Sequence, residues 1–472
     1  MNPSELPLTE VAAHIRRGDL SAVEYATALL ERVEDHAHLN AFITVDADAL
    51  LSAAKNADQA QAGGEPLGVL HGVPIAVKDN IDTVDLPTTG GTPALRTHRP
   101  AADADAVRLL RQAGALVLGK TNLHELAYGV TSGNGAFGPV ANPYDTGRIA
   151  GGSSGGTAAA VAARLAAAGL GTDTGGSVRM PASLCGVAGL RPTMGRYPQR
   201  GIMLVSRTRD TIGPLARTVA DVRLLDTVLS GADEDTGTVA DALTGVRLGV
   251  VRHPFAEGLA PDLARIFERR LAELTACGAD VVDVAFPAHA GDLIAKAGFP
   301  IAFHETTLDL PRYLEESGTG LSLAEVVERC GSADVRGILA GLLGDAAVAP
   351  ADYREALTVH RPALDAMVRE VFAENGLTAL VWPTTPLTAA PIGSEEVSLG
   401  GERVSAFLAY TRTTNLGSIV GWPGVSVPAG LDDAGLPIGF ALDGLPGSDP
   451  ALLRVAEACE HVFGPLPEPA GR

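Results

Sequence analysis

The sequence predicts an α/β fold in which a single large domain is built on a central sheet covered by helices. Three observations carry that prediction. The chain has 472 residues, of which 46% are apolar and 19% charged, enough to bury a large core. From Leu67 onward, short apolar runs bounded by Gly and Pro alternate with stretches of helical periodicity. The last hundred residues return to strand-like runs that read as the completion of the same sheet.

Taken in order, the first sixty residues read as helices. Leu20-Ser21 is a start signal, after which Val23, Tyr25, Ala26, Leu29, Leu30 and Val33 recur at helical spacing. Residues 73–77 and 115–119 read as strands on either side of a helical stretch over 105–112. Between Gly129 and Gly195 the chain is dense in Gly, Ser, Thr and Ala, a composition that lets backbone approach backbone or a small ligand closely. Within it, residues 142–148 read as a loop. The stretch 233–365 is helix-rich and is expected to cap the sheet and shape a pocket. Residues 379–382, 425–427 and 438–441 are the closing strands.

Charge excludes one class of partner. Thirty-six Lys plus Arg against 56 Asp plus Glu give a formal charge of −20, the wrong sign for a surface that tracks phosphates, so nucleic acid is not expected as a partner. The N-terminus lacks the basic and apolar regions of a signal peptide, and no uninterrupted apolar run is long enough for a membrane helix: the Ala-rich run over 157–170 is broken by Arg164. Cys185, Cys277, Cys330 and Cys459 lie far apart with no CxxC pair, which argues against a disulfide framework or a zinc cluster. A reducing, cytoplasmic setting without a membrane is the expectation.

Three segments could carry chemistry: Ile75-Ala76-Val77-Lys78-Asp79-Asn80, Gly151-Gly152-Ser153-Ser154-Gly155-Gly156, and Gly171-Thr172-Asp173-Thr174-Gly175-Gly176-Ser177-Val178-Arg179. Singly, each has a plain structural reading. Lys78 can mark the solvated end of a strand, Ser153 and Ser154 can cap a helix, and Gly175-Gly176 can be a turn with Ser177 as the next cap. A phosphate loop is disfavoured because the GxxxxGK[ST] lysine is missing and no GxGxxG follows a strand. Residues 151–155 satisfy GxSxG, but a nucleophile elbow needs a preceding strand and the sequence there reads as loop.

Together the segments supply what amide hydrolysis needs: a hydroxyl nucleophile, a base, a proton carrier and N–H donors for an oxyanion. A lysine serves as base only when neutral, and burial at the end of an apolar run is one way to make it so. No metal or cofactor is required.

These three motifs, in this order, resemble the amidase signature family, with Lys78 and Ser177 99 residues apart and Ser153 and Ser177 24 apart. The resemblance runs from about Leu8 to the end and is strongest over 67–218. It implies a mixed central β-sheet and a Ser–cis-Ser–Lys triad: Ser177 as nucleophile, Ser153 on a cis peptide as relay, Lys78 as ultimate base. It further implies oxyanion donors in the N–H groups of Thr174, Gly175, Gly176 and Ser177, a Ser154 hydroxyl that helps hold the lysine, and Asp173 and Arg179 as loop supports. On this reading 1–65 are N-terminal helices, 66–231 the catalytic core, 232–370 the cap and pocket region, and 371–472 the C-terminal part of the sheet.

The segments 186–193, 195–198, 206–214 and 442–449 are similar to the indoleacetamide and mandelamide hydrolase branch, which implies arylacetic-type primary amides and release of ammonia. Two rivals share the triad: a broader aryl-acylamidase or carbamate hydrolase, and the A subunit of the tRNA-dependent amidotransferase. The latter uses an acidic residue to hold the α-amino group of glutamine, where Thr411 stands here. Tyr128 and Thr131 are the candidate pocket residues; Phe137 also precedes the serine loop, and Trp422 reads as core. His71 and His124 flank the motifs and read as structural or pocket histidines. A homodimer is suggested only by the family.

Overall fold

Eleven strands form one sheet, in chain order β1 (Phe42–Thr44), β2 (Pro74–Lys78), β3 (Leu116–Thr121), β4 (Ala168–Asp173), β5 (Ala188–Arg191), β6 (Thr211–Ala216), β7 (Arg247–Val251), β8 (Asp280–Val284), β9 (Ala379–Pro383), β10 (Gly424–Leu431) and β11 (Pro437–Asp443). The computed structural model describes residues 2–233 and 243–469. Across the sheet the strands lie in the order β1-β3-β2-β4-β6-β5-β10-β11-β9-β7-β8. Pairing is parallel for β2 with β3 and β4, and for β7 with β8 and β9; the centre, from β4 through β11 to β9, is antiparallel. The sheet is therefore mixed, and helices cover it.

Local chemistry explains the elements nearest the site. The helix Ala22–Asp35 begins at a capping box: the Ser21 hydroxyl accepts the Glu24 N–H while the Glu24 carboxylate accepts the Ser21 N–H. Strand β2 is buried along its whole length, which its Pro-Ile-Ala-Val sequence suits. Strand β4 alternates Gly169 and Gly171 because the helix Gly155–Ala162 lies directly on it. A methyl group at Gly169 would stand 2.6 Å from the Thr157 side chain, and one at Gly171 2.7 Å from Ser154 Oγ. The run Ala158–Ala162, alanine except at Val161, is buried on this contact, and Arg164, at φ +59°, turns the chain out of the helix toward β4.

Two expectations need correction. Residues 142–148 are a β-hairpin: Ala141–Asn142 pairs with Asp145–Ile149 in a sheet of its own. The turn is closed by the Asn142 side chain, whose Oδ1 accepts the Tyr144 N–H at 3.0 Å while Nδ2 donates to the carbonyls of Ile149 and Leu184. A strand does precede residues 151–155, so the GxSxG match fails for another reason: Ser153 faces a lysine rather than a histidine. Second, 232–370 does more than cap, since it contributes β7 and β8 in parallel at one edge of the main sheet. In the sequence these short strands are hidden by the long helices Pro261–Ala276, Ala290–Glu316 and Arg361–Asn375 around them. Residues 234–242 of that stretch lie outside the described residues.

Trp422 is core as expected: it packs edge-on against Phe372, and its Nε1 donates to Asp365 Oδ1 at 2.6 Å. Among the described residues no helix is long and apolar enough to cross a membrane, and the four cysteines are free thiols.

Candidate active site

Register puts the lysine in place. Parallel pairing of β2 with β4 sets Val77 opposite Leu170, which brings Lys78 alongside the Gly171–Thr172 end of β4. Lys78 Nζ lies 2.8 Å from Ser153 Oγ and donates to Thr172 Oγ1 at 2.7 Å and to the Thr172 carbonyl at 3.4 Å. Asn80 Nδ2 donates to the same Thr172 hydroxyl at 3.1 Å and so fixes it from the far side. Lys78 is fully buried. Burial pushes its ammonium down to about 7, opposed by the negative charges of Asp210 and Asp173.

The serine loop is held on both sides. The Gly152-Ser153 peptide is cis, and the Ser153 carbonyl accepts the His124 N–H at 3.1 Å and the Ser132 hydroxyl at 3.3 Å. The Ser154 N–H donates to the Ser177 carbonyl at 3.1 Å, which ties the two serine segments together. The Ser154 hydroxyl does not reach the lysine. It lies 3.2 Å from both the carbonyl and the N–H of Thr172, so it positions the residue that holds Lys78. Thr172 and Asn80 carry no role legible in the sequence, because their contacts exist only once β2 and β4 are in register.

Asp173 organises the glycine turn before Ser177. Its carboxylate accepts the N–H groups of Gly176 (2.8 Å) and Val178 (3.2 Å), the Ser418 hydroxyl, and the guanidinium groups of Arg179 and Arg191. Burial alone would raise its pKa, but the two arginines outweigh burial and hold it well below the usual carboxylate range. Asp173 and Arg179 thus bond to each other and, through the Asp173 carboxylate, to the turn before Ser177. The Gly176 N–H, expected to point at an oxyanion, is instead occupied by Asp173. Among the described residues the N–H groups of Thr174, Gly175 and Ser177 have no protein acceptor.

Gly176 matters through its conformation. It sits at φ +122°, and a Cβ there would stand 2.1 Å from Thr414 Oγ1, whose hydroxyl donates to the Gly175 carbonyl at 2.7 Å. Gly176→Ala combines backbone strain with this clash. It is expected to cost about 2–4 kcal/mol of stability and most of the activity, read by thermal unfolding and by turnover on the same preparation.

Ser177 opens into a cavity of about 380 Å³ walled by Tyr128, Val130, Met180, Val205, Phe299, Phe303 and Phe407, with Thr174, Gly175, Arg209, Thr411 and Asn415 near the serine loop. Tyr128 lines this cavity, with its hydroxyl hydrogen-bonded to Thr306. Thr131 is not in the wall: its hydroxyl lies 3.3 Å from His124 Nδ1 and accepts the Gly133 N–H. Phe137 lies instead under the Arg96 guanidinium. Phe299, Phe303 and Phe407 were missed, although the first two form an i, i+4 aromatic pair in a chain with only 4% aromatics. A larger groove, of about 1100 Å³, runs between Pro7, Arg217 and Glu460 and contains neither serine. His71 and His124 are structural: Nε2 of His71 lies 3.0 Å from the Ala57 carbonyl, and Nε2 of His124 lies 2.9 Å from Asp334.

A buried lysine of lowered proton affinity against one serine, with a second serine beneath unengaged backbone N–H groups, is equipment for acyl transfer, and on this fold it defines an amide hydrolase. The model of the family described as Amidase matches residues 24–453, and the chain belongs to that family. It is 41% identical to the mandelamide hydrolase of Pseudomonas putida, covering 98% of this chain and 93% of that one, and 40% identical to an indoleacetamide hydrolase of Rhizobium radiobacter, covering 97% of each. The A subunit of the glutamyl-tRNA(Gln) amidotransferase from Salinispora tropica follows at 38%, covering 98% of each chain. Among solved structures, the peptide amidase of Stenotrophomonas maltophilia superposes with a TM-score of 0.86 at 30% identity, covering 98% of each chain. The protein is an enzyme that hydrolyses amide C–N bonds.

Proposed function

We infer that the substrate is a primary amide of an arylacetic-type acid and that the products are the carboxylate and ammonia. The observation that carries this is the cavity beside Ser177, which has aromatic and aliphatic walls and no Asp or Glu among its lining residues. A flat apolar acyl group fits such walls. The α-ammonium group of glutamine would find no counter-charge, and Thr411, at the place of an acidic residue, spends its hydroxyl on the Phe407 carbonyl at 2.7 Å. The names of the mandelamide and indoleacetamide hydrolases point the same way.

In this reading neutral Lys78 places its two N–H bonds on the hydroxyl and carbonyl of Thr172, which leaves its lone pair for Ser153. Ser177 Oγ attacks the amide carbon; its proton passes to Ser153 Oγ as the Ser153 proton passes to Lys78 Nζ. The oxyanion is met by the N–H groups of Thr174, Gly175 and Ser177, each donor contributing roughly 3–4 kcal/mol. The proton returns through Ser153 to the leaving nitrogen as the C–N bond breaks, and water then hydrolyses the Ser177 ester by the same relay.

The test is ammonia release by the single purified chain from phenylacetamide, indoleacetamide and glutamine. Turnover of the two aryl amides with glutamine inert is expected. Glutamine alone as substrate overturns the arylacetamide reading in favour of the amidotransferase one, and silence on all three moves the search to anilides and carbamates.

A further inference from the structure

We propose that Asp334 and His124 are positioning residues through which the helix Ala333–Leu342, one wall of the acyl cavity, holds Ser153 in line, so that an acyl group packed against this helix raises kcat and not affinity alone. This rests on the relay and the arylacetamide reading above.

The segment 124–132 wraps the serine loop. The His124 N–H and the Ser132 hydroxyl both donate to the Ser153 carbonyl, and the same Ser132 oxygen accepts the Gly155 N–H at 3.0 Å. Backbone completes the contact: a Cβ on Gly152 would stand 2.8 Å from the Ser132 nitrogen and 2.9 Å from that of Thr131. The same segment is cavity wall, since Tyr128, Gly129 and Val130 line the acyl site. Its backbone is not self-supporting. Leu126, Ala127 and Ser132 lie at φ +51°, +61° and +54°, a left-handed region that residues with a Cβ hold only where their neighbours impose it.

Much of that support comes from the helix Ala333–Leu342 and the turn before it. The buried Glu125 carboxylate accepts the Gly331 N–H at 3.0 Å and the Ser332 N–H at 2.6 Å. His124 Nε2 lies 2.9 Å from Asp334 Oδ2, and because a carboxylate only accepts, Nε2 carries the proton in this bond. The other ring nitrogen faces the Thr131 hydroxyl, and the ring lies directly on Gly129, where a Cβ would stand 2.3 Å from His124 Cε1. Ile338, four residues beyond Asp334 and so on the same helix face, lines the cavity. One residue therefore joins the two functions: the side chain of His124 is tied to the helix that the acyl group touches, and its N–H to the carbonyl of Ser153. Glu125 anchors the turn from the buried side. The Asp334 side chain is 54% exposed, so its bond can be removed without opening the core. Misplacing a relay atom by a fraction of an ångström slows proton transfer and leaves the binding walls as they are.

The experiment uses the intact enzyme with phenylacetamide, whose ring fills the cavity, and acetamide, whose methyl group leaves it largely empty. Asp334→Ala is expected to lower kcat on phenylacetamide about tenfold with KM changed by less than about twofold, and to lower kcat on acetamide by less than about twofold. The solvent deuterium isotope effect on the phenylacetamide kcat should rise, as it does when proton transfer becomes slower than the other steps. Asp334→Asn, whose amide oxygen still accepts the His124 Nε2–H, should restore the wild-type values. An unchanged kcat, a rise in KM alone, an equal loss on both amides, or an Asn variant as slow as the Ala one overturns the proposal while leaving the arylacetamide reading intact. Where acetamide is not turned over, the kcat-against-KM split, the isotope effect and the Asn rescue on phenylacetamide decide. A wild type inert on phenylacetamide overturns the arylacetamide reading itself.

Discussion

Ser177→Ala is expected to lower kcat by roughly 10⁴-fold or more, with the thermal midpoint nearly unchanged, because loss of a nucleophile removes the covalent route whatever else remains. The fold should tolerate the change. The contact that ties Ser177 to the serine loop runs through its carbonyl and the Ser154 N–H, and a missing side-chain oxygen leaves it intact. Residual rate is expected to match Ser153→Ala in kind but not in size: without the relay, Ser177 keeps its hydroxyl but has no path for its proton to Lys78. A Ser177→Ala enzyme that retained a tenth of its activity would show that another group carries the acyl chain. Mass spectrometry during slow turnover of the wild type should find the acyl group on Ser177.

Lys78→Ala is expected to cost about 10²- to 10⁴-fold in kcat/KM, the range for removal of a general base, and to change the pH profile. Because burial sets the lysine near 7 and only its neutral form accepts a proton, wild-type kcat/KM should be level at high pH and fall tenfold per unit once pH drops below about 7. The variant should lose that limb. Stability runs in a definite direction too. The folded value lies below the ordinary 10.5, so between about 7 and 10.5 the unfolded chain binds more protons than the folded one. The contribution of Lys78 to stability therefore rises with pH across that window. A wild-type profile that stays flat from pH 5 to 9 would remove Lys78 from the role of base.

The α/β class and the three chemistry-bearing segments were legible because each is a local pattern: apolar β2 ending in Lys78, and two Gly-Ser turns feeding helices. What was not legible depends on distance along the chain. Thr172 and Asn80 hold the lysine only through the β2–β4 register. Phe299 and Phe407 reach Ser177 from more than a hundred residues away, and Arg209 looks like any charged loop residue until Gly298 and Asn415 fold against it. Gly176 reads as a donor by its place in the motif, but which N–H groups stay free was decided by where the Asp173 carboxylate came to rest. Thr131 was misplaced for the opposite reason: nearness in sequence to the serine loop does not fix which way a turn residue faces, and it turned toward His124.

The strand order has a consequence for the life of the chain before it is a finished enzyme. Strand β5 (Ala188–Arg191) has β6 on one side and gains its other neighbour only from β10 (Gly424–Leu431), and the turn before Ser177 is braced by Thr414. A ribosome that has just made Ser177 must therefore extend the polypeptide by 237 residues more, roughly 12–47 s at ordinary rates of synthesis, before either support exists. Through that interval the nascent chain holds Lys78, Ser153 and Ser177 without the β10 neighbour of β5 or the Thr414 brace, and a product truncated before residue 414 is expected to be inactive. Catalytic competence in this protein therefore waits on residues 414–431.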